Sequence, residues 1–163
     1  MAMTLSHRAR TVVLALALGA LAIEAVLVVV FRTKWAPAID AVRRANRDVL
    51  NPLMLRRAGR GHWYAAVVHH VGRTSGRAYS TPVLAEPAGG RLYLPLPYGT
   101  HVDWCRNVLA AGGCVVERQG ERLAAVKPVL VPAAEAAAAL RPATRAVLAL
   151  YGVDTYLRLD VVG

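Results

Sequence analysis

From Thr11 to Phe31 the chain carries 21 consecutive residues among which Glu24 is the one charged side chain. That run constrains the fold more than any other feature, because about 20 apolar residues in a helix are what crosses a hydrocarbon core. It predicts a transmembrane helix set apart from the rest. The following residues, Phe31-Arg32-Thr33-Lys34-Trp35, lack the small-residue cleavage site of a signal peptide, so an uncleaved anchor is expected. Arg32, Lys34, Arg43, Arg44 and Arg47 follow the span, against Arg8 and Arg10 before it, which puts the C-terminal part in the cytoplasm of a single-pass inner-membrane protein. Trp35 suits the interface. Glu24 costs about 3 kcal/mol at mid-bilayer. It is read as an acid tolerated by a very apolar helix, a facing helix or a carried proton being the other readings. Packing of the helix on the protein's own domain stays open.

The span accounts for an apolar content of 56%, high for a soluble domain. The 163 residues leave room for one ordinary domain beside it. Basic residues outnumber acidic ones, 20 to 10, and all but Lys34 and Lys127 are arginine. This charge suits polyphosphate ligands, anionic lipid or nucleic acid without choosing among them; no other feature points to nucleic acid. Cys105 and Cys114 have neither metal spacing nor the numbers of a disulfide scaffold.

Three segments follow: residues 1–35 as tail and anchor, 36–60 as an amphipathic helical linker, and 61–163 as the folded domain. In the linker, Pro37 and Ala38 open a helix in which Ile39, Val42, Val49, Leu50, Leu53 and Met54 recur at helical spacing while Arg43, Arg44 and Arg47 point elsewhere. Asn51-Pro52 is expected to break or kink it. Such a helix either lies on anionic membrane lipid or caps the domain. From Trp63 the period changes. Trp63–His70, Arg77–Glu86 and Arg91–Leu96 read as strands, with Pro87-Ala88-Gly89-Gly90 as a turn. Asp103 is the expected N-cap of a short helix ending at Gly112. Cys114–Arg118 and Arg122–Val131 form a hairpin around Gln119-Gly120-Glu121, residues 132–150 are helical with an interruption at Pro142, and Tyr156–Val162 closes as a strand. The prediction is a mainly β (α+β) split barrel of about six strands with an inserted helix, rather than a doubly wound sheet.

Between the first two strands lies His70-Val71-Gly72-Arg73-Thr74-Ser75-Gly76-Arg77-Ala78-Tyr79-Ser80-Thr81-Pro82. A glycine-bracketed turn lets successive backbone N–H groups converge on an anion. Arg73 and Arg77 add planar donors that suit phosphate. A solvated basic hairpin turn reads equally well from the turn alone. About thirty residues on comes Asp103-Trp104-Cys105-Arg106-Asn107-Val108-Leu109, where Trp104 and Asn107 share one helix face.

Taken in order, Gly72 to Gly76, Thr81-Pro82 and Trp104-Cys105-Arg106-Asn107-Val108 resemble the deazaflavin-dependent nitroreductase and quinone reductase family, which is built on a split β-barrel. The resemblance runs from Trp63 to Val131. It departs at Thr74, where many members have lysine, and at Pro95-Leu96-Pro97-Tyr98-Gly99, where a basic residue often stands. A tyrosine cluster that gates the site in some members has no counterpart beyond Tyr151 and Tyr156. The resemblance implies an enzyme that passes a hydride from reduced coenzyme F420, a deazaflavin, to a small organic acceptor. Gly72, Arg73, Thr74, Ser75, Gly76 and Arg77 would hold the cofactor's phosphate or polyglutamate tail. Pro82, Trp104 and Asn107 would frame its ring, and Tyr98 would face the acceptor. The anchor favours a lipid-soluble quinone. An FMN-binding split-barrel oxidoreductase and a non-catalytic membrane-tethered module for a cofactor or lipid are the alternatives.

Other constellations add little. His69 and His70 are adjacent on a strand and cannot chelate one metal together, so no metal site is expected, even with His62 and His101 nearby. His70 reads as turn-flanking or barrel-facing. Ser75 and Ser80 show no base-and-orienter arrangement, and the turn lacks P-loop spacing.

Overall fold

A computed structural model describes residues 7–60 and 65–162. His62 and the expected strand start at Trp63 lie outside these residues. The described elements are α1 (His7–Arg32), α2 (Ala36–Ala45), a π-helical turn (Asn46–Leu50), α3 (Asn51–Met54), β1 (Ala65–Val71), β2 (Ala78–Leu84), β3 (Glu86–Ala88), β4 (Arg91–Pro95), α4 (Asp103–Ala111), β5 (Gly113–Arg118), β6 (Glu121–Pro132), α5 (Ala133–Ala136), α6 (Pro142–Leu150) and β7 (Thr155–Val162). The architecture is α+β.

All seven strands pair antiparallel in one curled sheet, in the order β2-β1-β5-β6-β7-β4-β3. The strand expected over Arg77–Glu86 is divided: β2 pairs with β1, and after the buried Ala85 the chain continues as β3 on β4. One kinked run therefore supplies both edges of the sheet, which must curl to bring them within a residue of each other. Pro87 and Ala88 belong to β3, so the turn contracts to Gly89-Gly90, with φ of +55° and +74°. Two successive residues with positive φ favour glycine. In β6 the register shifts between Val126 and Val129, where Lys127 takes φ +53° and Pro128 has no N–H for the ladder.

The period-2 pattern fills the sheet's inside. Ala66, Val68, Leu92, Leu94, Val116, Leu157 and Leu159 meet Cys105 and Val108 of α4. On the outer face, Tyr93 and Tyr156 pack with Ala136, Leu140 and Val153, while Ala65 and Val67 are covered by Met54, Leu55 and Ala58. Tyr156 is thus a core residue.

The linker departs from expectation. Pro52 does not break it: helical structure passes through the π turn, and the N–H of Asn51 reaches back to the C=O of Asn46. A π turn takes up about one extra residue and so rearranges the bonds next to a residue that lacks an N–H.

Arg10–Arg32 is long and apolar enough to cross a membrane by length and composition, and its side is exposed over most of its length. Its last turns nevertheless pack on the domain. Val30 and Phe31 are buried, and the Phe31 ring lies 5.5 Å from that of Tyr98 and 5.6 Å from that of Tyr151. Lys34 donates to the C=O of Gly152 at 2.9 Å, and Arg32 reaches the carbonyls of Ala149 and Leu150. The Tyr151 hydroxyl donates to Glu24. Glu24 is therefore a partnered acid, not a merely tolerated one, and Tyr151 serves the helix junction.

Candidate functional site

A cavity of about 600 Å³ opens between the β1–β2 turn, the first turn of α4 and the stretch from α2 to α3. Gly72, Arg73, Thr74, Ser75, Pro82, Tyr98, Trp104 and Asn107 line it; Gly76 and Arg77 do not. The sequence segments thirty residues apart thus meet, because α4 packs under β1 with Cys105 and Val108 buried and turns Trp104 and Asn107 to the cavity.

The turn is closed by its own backbone. The Gly72 N–H donates to the C=O of Arg77 at 2.8 Å and the Gly76 N–H to the C=O of Gly72 at 2.9 Å. The two glycines serve different needs. Gly76 holds φ +64°. Gly72 is needed for space, since a Cβ there would meet Ser75 Oγ at 2.4 Å and the Tyr79 ring at 2.8 Å. Among the described residues, the backbone N–H groups of Thr74 and Ser75 are left without a protein partner. They are the open donors of a nest.

Asn107 organises the floor. Its Oδ1 accepts from the Arg73 N–H at 3.1 Å and from the Arg73 guanidinium at 2.9 Å. Two donors on one oxygen fix the amide's orientation, so Nδ2 donates to His70 Nδ1 at 3.1 Å. His70 Nε2 then carries the proton and donates to Thr81 Oγ1 at 3.1 Å. Burial holds His70 below its ordinary pKa, with the neighbouring His69 adding to the effect and Asp103 opposing it. The ring stacks on Tyr79 at 5.7 Å.

Asp103 is not the N-cap. Val102 takes that position without a side-chain cap, and the Asp103 carboxylate accepts from Arg73 at 3.0 Å. Arg73 is thereby held on Asn107 and Asp103. Tyr98 accepts from the Asn46 amide at 3.2 Å, and burial raises its pKa.

The linker divides its apolar residues between two sides, with Ile39 buried on the domain. Arg43, Arg44, Arg47 and Asn51 face the cavity, whereas Val49, Leu50 and Leu53 are exposed. Sequence reading therefore missed the three arginines as site residues, and missed His70 as the support of Asn107. The available signal for His70 was its position two residues before Gly72, on the inward phase shared with Val68. Ser80 does have neighbours of the expected types: its hydroxyl is 2.9 Å from His69 Nδ1, and His69 Nε2 is 3.2 Å from Glu117. This is a cross-strand polar row on the outer phase of β2, β1 and β5. Burial pushes the thiols of Cys105 and Cys114 up to about 11 and about 12, which keeps them protonated.

The His70 geometry predicts a pH effect. A histidine whose folded pKa lies below its unfolded value of 6.5 contributes stability that is present above that value and lost as pH falls through the folded pKa. Thermal midpoints should fall between pH 7.5 and pH 5 more steeply for the wild type than for His70→Gln. Parallel pH profiles would refute the assignment.

No protein-family model and no curated protein sequence matches the chain. Among solved structures, a chain described as a domain-swapped dimer is similar over 77% of this chain and 100% of its own, at 16% identity and a TM-score of 0.48. An F420-H2 dependent reductase, FDR-A, is similar over 60% of this chain and 94% of its own, at 14% identity and a TM-score of 0.39. A protein of unknown function from Agrobacterium tumefaciens is similar over 73% of this chain and 57% of its own, at 15% identity and a TM-score of 0.44.

Proposed function

We propose that the chain is a membrane-anchored oxidoreductase that holds reduced coenzyme F420 in this cavity and delivers its hydride to a small organic acceptor. The observation that carries the reading is that Thr74 and Ser75, whose N–H groups have no partner among the described residues, line one cavity with Trp104 and Asn107. A large anionic cofactor with a planar ring needs these parts in one place. The fit extends to the arginines: Arg43, Arg44 and Arg47 give the roof a positive face toward an anionic tail.

When bound, the reduced deazaflavin supplies the hydride. The chain's share is placement. Thr74 and Ser75 hold phosphate through backbone donors. Arg73, pre-set by Asn107 and Asp103, offers a planar fork beside it. Trp104 and Pro82 supply apolar walls for the ring and exclude water. Tyr98, with its hydroxyl held by Asn46 and its pKa raised, stays a neutral phenol that can orient an acceptor carbonyl by hydrogen bonding. With residues 1–35 as anchor, 36–60 as linker and 61–163 as domain, the cavity would lie at the cytoplasmic face of the membrane, with a quinone as the acceptor within reach.

Titration of the detergent-solubilised chain with coenzyme F420 and with FMN tests the reading; tighter binding of FMN would reverse it. Arg73→Ala should weaken the deazaflavin by about 1.5–3 kcal/mol, the range for hydrogen bonds to charged groups. Arg77→Ala should change affinity little, since Arg77 lies outside the cavity lining.

A further inference from the structure

The stretch between the span and the first strand buries Ile39 on the domain but leaves its later apolar residues outside. Its arginines line the cavity, Arg43 paired with Asp40 and Arg47 with Asp48, while Val49, Leu50 and Leu53 are 59%, 52% and 54% exposed. Arg43, Arg47, Asn51 and Leu55 form one i,i+4 row along the cavity side. Val49 and Leu53 form another, on the outside. In water alone, exposing these apolar side chains is unfavourable.

Three observations say what covers the outer row. The first is continuity with the span. The Asn46 amide, in the π turn, bonds Tyr98, and the Tyr98 ring packs on Phe31 at the foot of α1. The second is depth. Tyr151 bonds Glu24, which lies eight residues before Arg32 and so about 12 Å up the helix. The domain is therefore drawn against the level of the span and is not hung below it on a tether. Beside that contact, Val147 and Leu150 of α6 are also exposed. The third is charge. Arg56, Arg57 and Arg60 follow the apolar row immediately, as expected of a segment whose apolar side chains sit under anionic headgroups.

We infer that the cavity's roof is a membrane-embedded surface: Val49, Leu50 and Leu53 insert into the bilayer interface, so that one thin helical layer separates lipid from the cofactor cavity. The inference rests on α1 being a membrane span, not on the identity of the cofactor. It differs from an arginine-down linker, because here the arginines are kept for the cavity and the aliphatic side chains meet lipid.

The test uses the full chain reconstituted into vesicles containing anionic lipid, with single probes at Leu50→Cys and Leu53→Cys carrying a polarity-sensitive fluorophore. Arg91→Cys, exposed at the start of β4 and paired with Asp160, is the aqueous control, and the labelled wild type gives the background from the native thiols. Probes at 50 and 53 should be quenched by brominated lipid and shielded from aqueous iodide at least several-fold relative to the probe at 91. Iodide access equal to that at 91, in vesicles that still resist carbonate extraction, would overturn the roof's membrane contact while leaving the anchor standing. Shielding from iodide without quenching by lipid would also overturn it, by assigning the face to a second copy of the chain. Neither readout requires cofactor or turnover, so failure of the hydride-transfer reading would appear separately.

Discussion

Asn107→Leu is expected to abolish measurable cofactor binding and to lower the domain's stability by about 2 kcal/mol or more. The side chain is 5% exposed and connects three partners: the Arg73 N–H, the Arg73 guanidinium and His70 Nδ1. Leucine matches the volume but leaves a half-buried backbone donor and a buried imidazole nitrogen without their partner, the buried one alone costing about 1–3 kcal/mol. Denaturant unfolding reads the stability; the F420 titration reads the site. Asn107→Asp separates the two halves of the network, since Arg73 keeps its acceptor while His70 loses its donor and gains a carboxylate. His70 should then stabilise the variant as pH falls toward 6.5 and keep that contribution below it, where the wild type loses stability. A fully stable Asn107→Leu would show that the network carries neither fold nor site.

Gly113→Ala should destabilise the protein by about 3 kcal/mol, the upper part of the usual overpacking range. A Cβ at Gly113 would stand 2.7 Å from the carbonyl oxygen of Ala125, a backbone atom held in the β5–β6 ladder. Relief by a side-chain rotation is not available. Gly19→Ala makes the contrast, since no atom lies within 4 Å of a Cβ there. If both variants melt together with the wild type, the close approach of β5 and β6 at this point is wrong.

Much of this molecule was legible in local chemistry. The long apolar helix, the turn with its two glycines, and the helix ending at Gly112 in the left-handed region follow from length, φ requirements and spacing. What was not legible depends on which way an element faces. The linker's apolar positions were visible, yet periodicity alone does not say that Ile39 is buried while Val49, Leu50 and Leu53 are exposed. The π turn intervenes and shifts the later residues around the axis. Asp103 had the right type and place for an N-cap, but Arg73, thirty positions earlier, takes its carboxylate. Glu24 looked solitary because Tyr151, its partner, lies 127 residues away. Arg77 matched the motif by adjacency, but the turn's hydrogen bonds set it outside the cavity.

The order of the sheet sets the order in which the chain completes itself. β7 is synthesised after every other described strand, yet it lies between β6 and β4 and supplies Leu157 and Leu159 to the core. Until it arrives, β4 with β3 has no ladder to the rest, and the kinked run through Ala85 has nothing to close. The residues that clasp α1, Gly152 and Tyr151, precede β7 by only a few positions. A nascent chain would thus carry its apolar helix undocked throughout synthesis of β1 to β6. Helix docking and sheet closure become available in the same short stretch of translation. The apolar helix has that whole interval free of the domain, and a chain interrupted before Thr155 would be left with its sheet open.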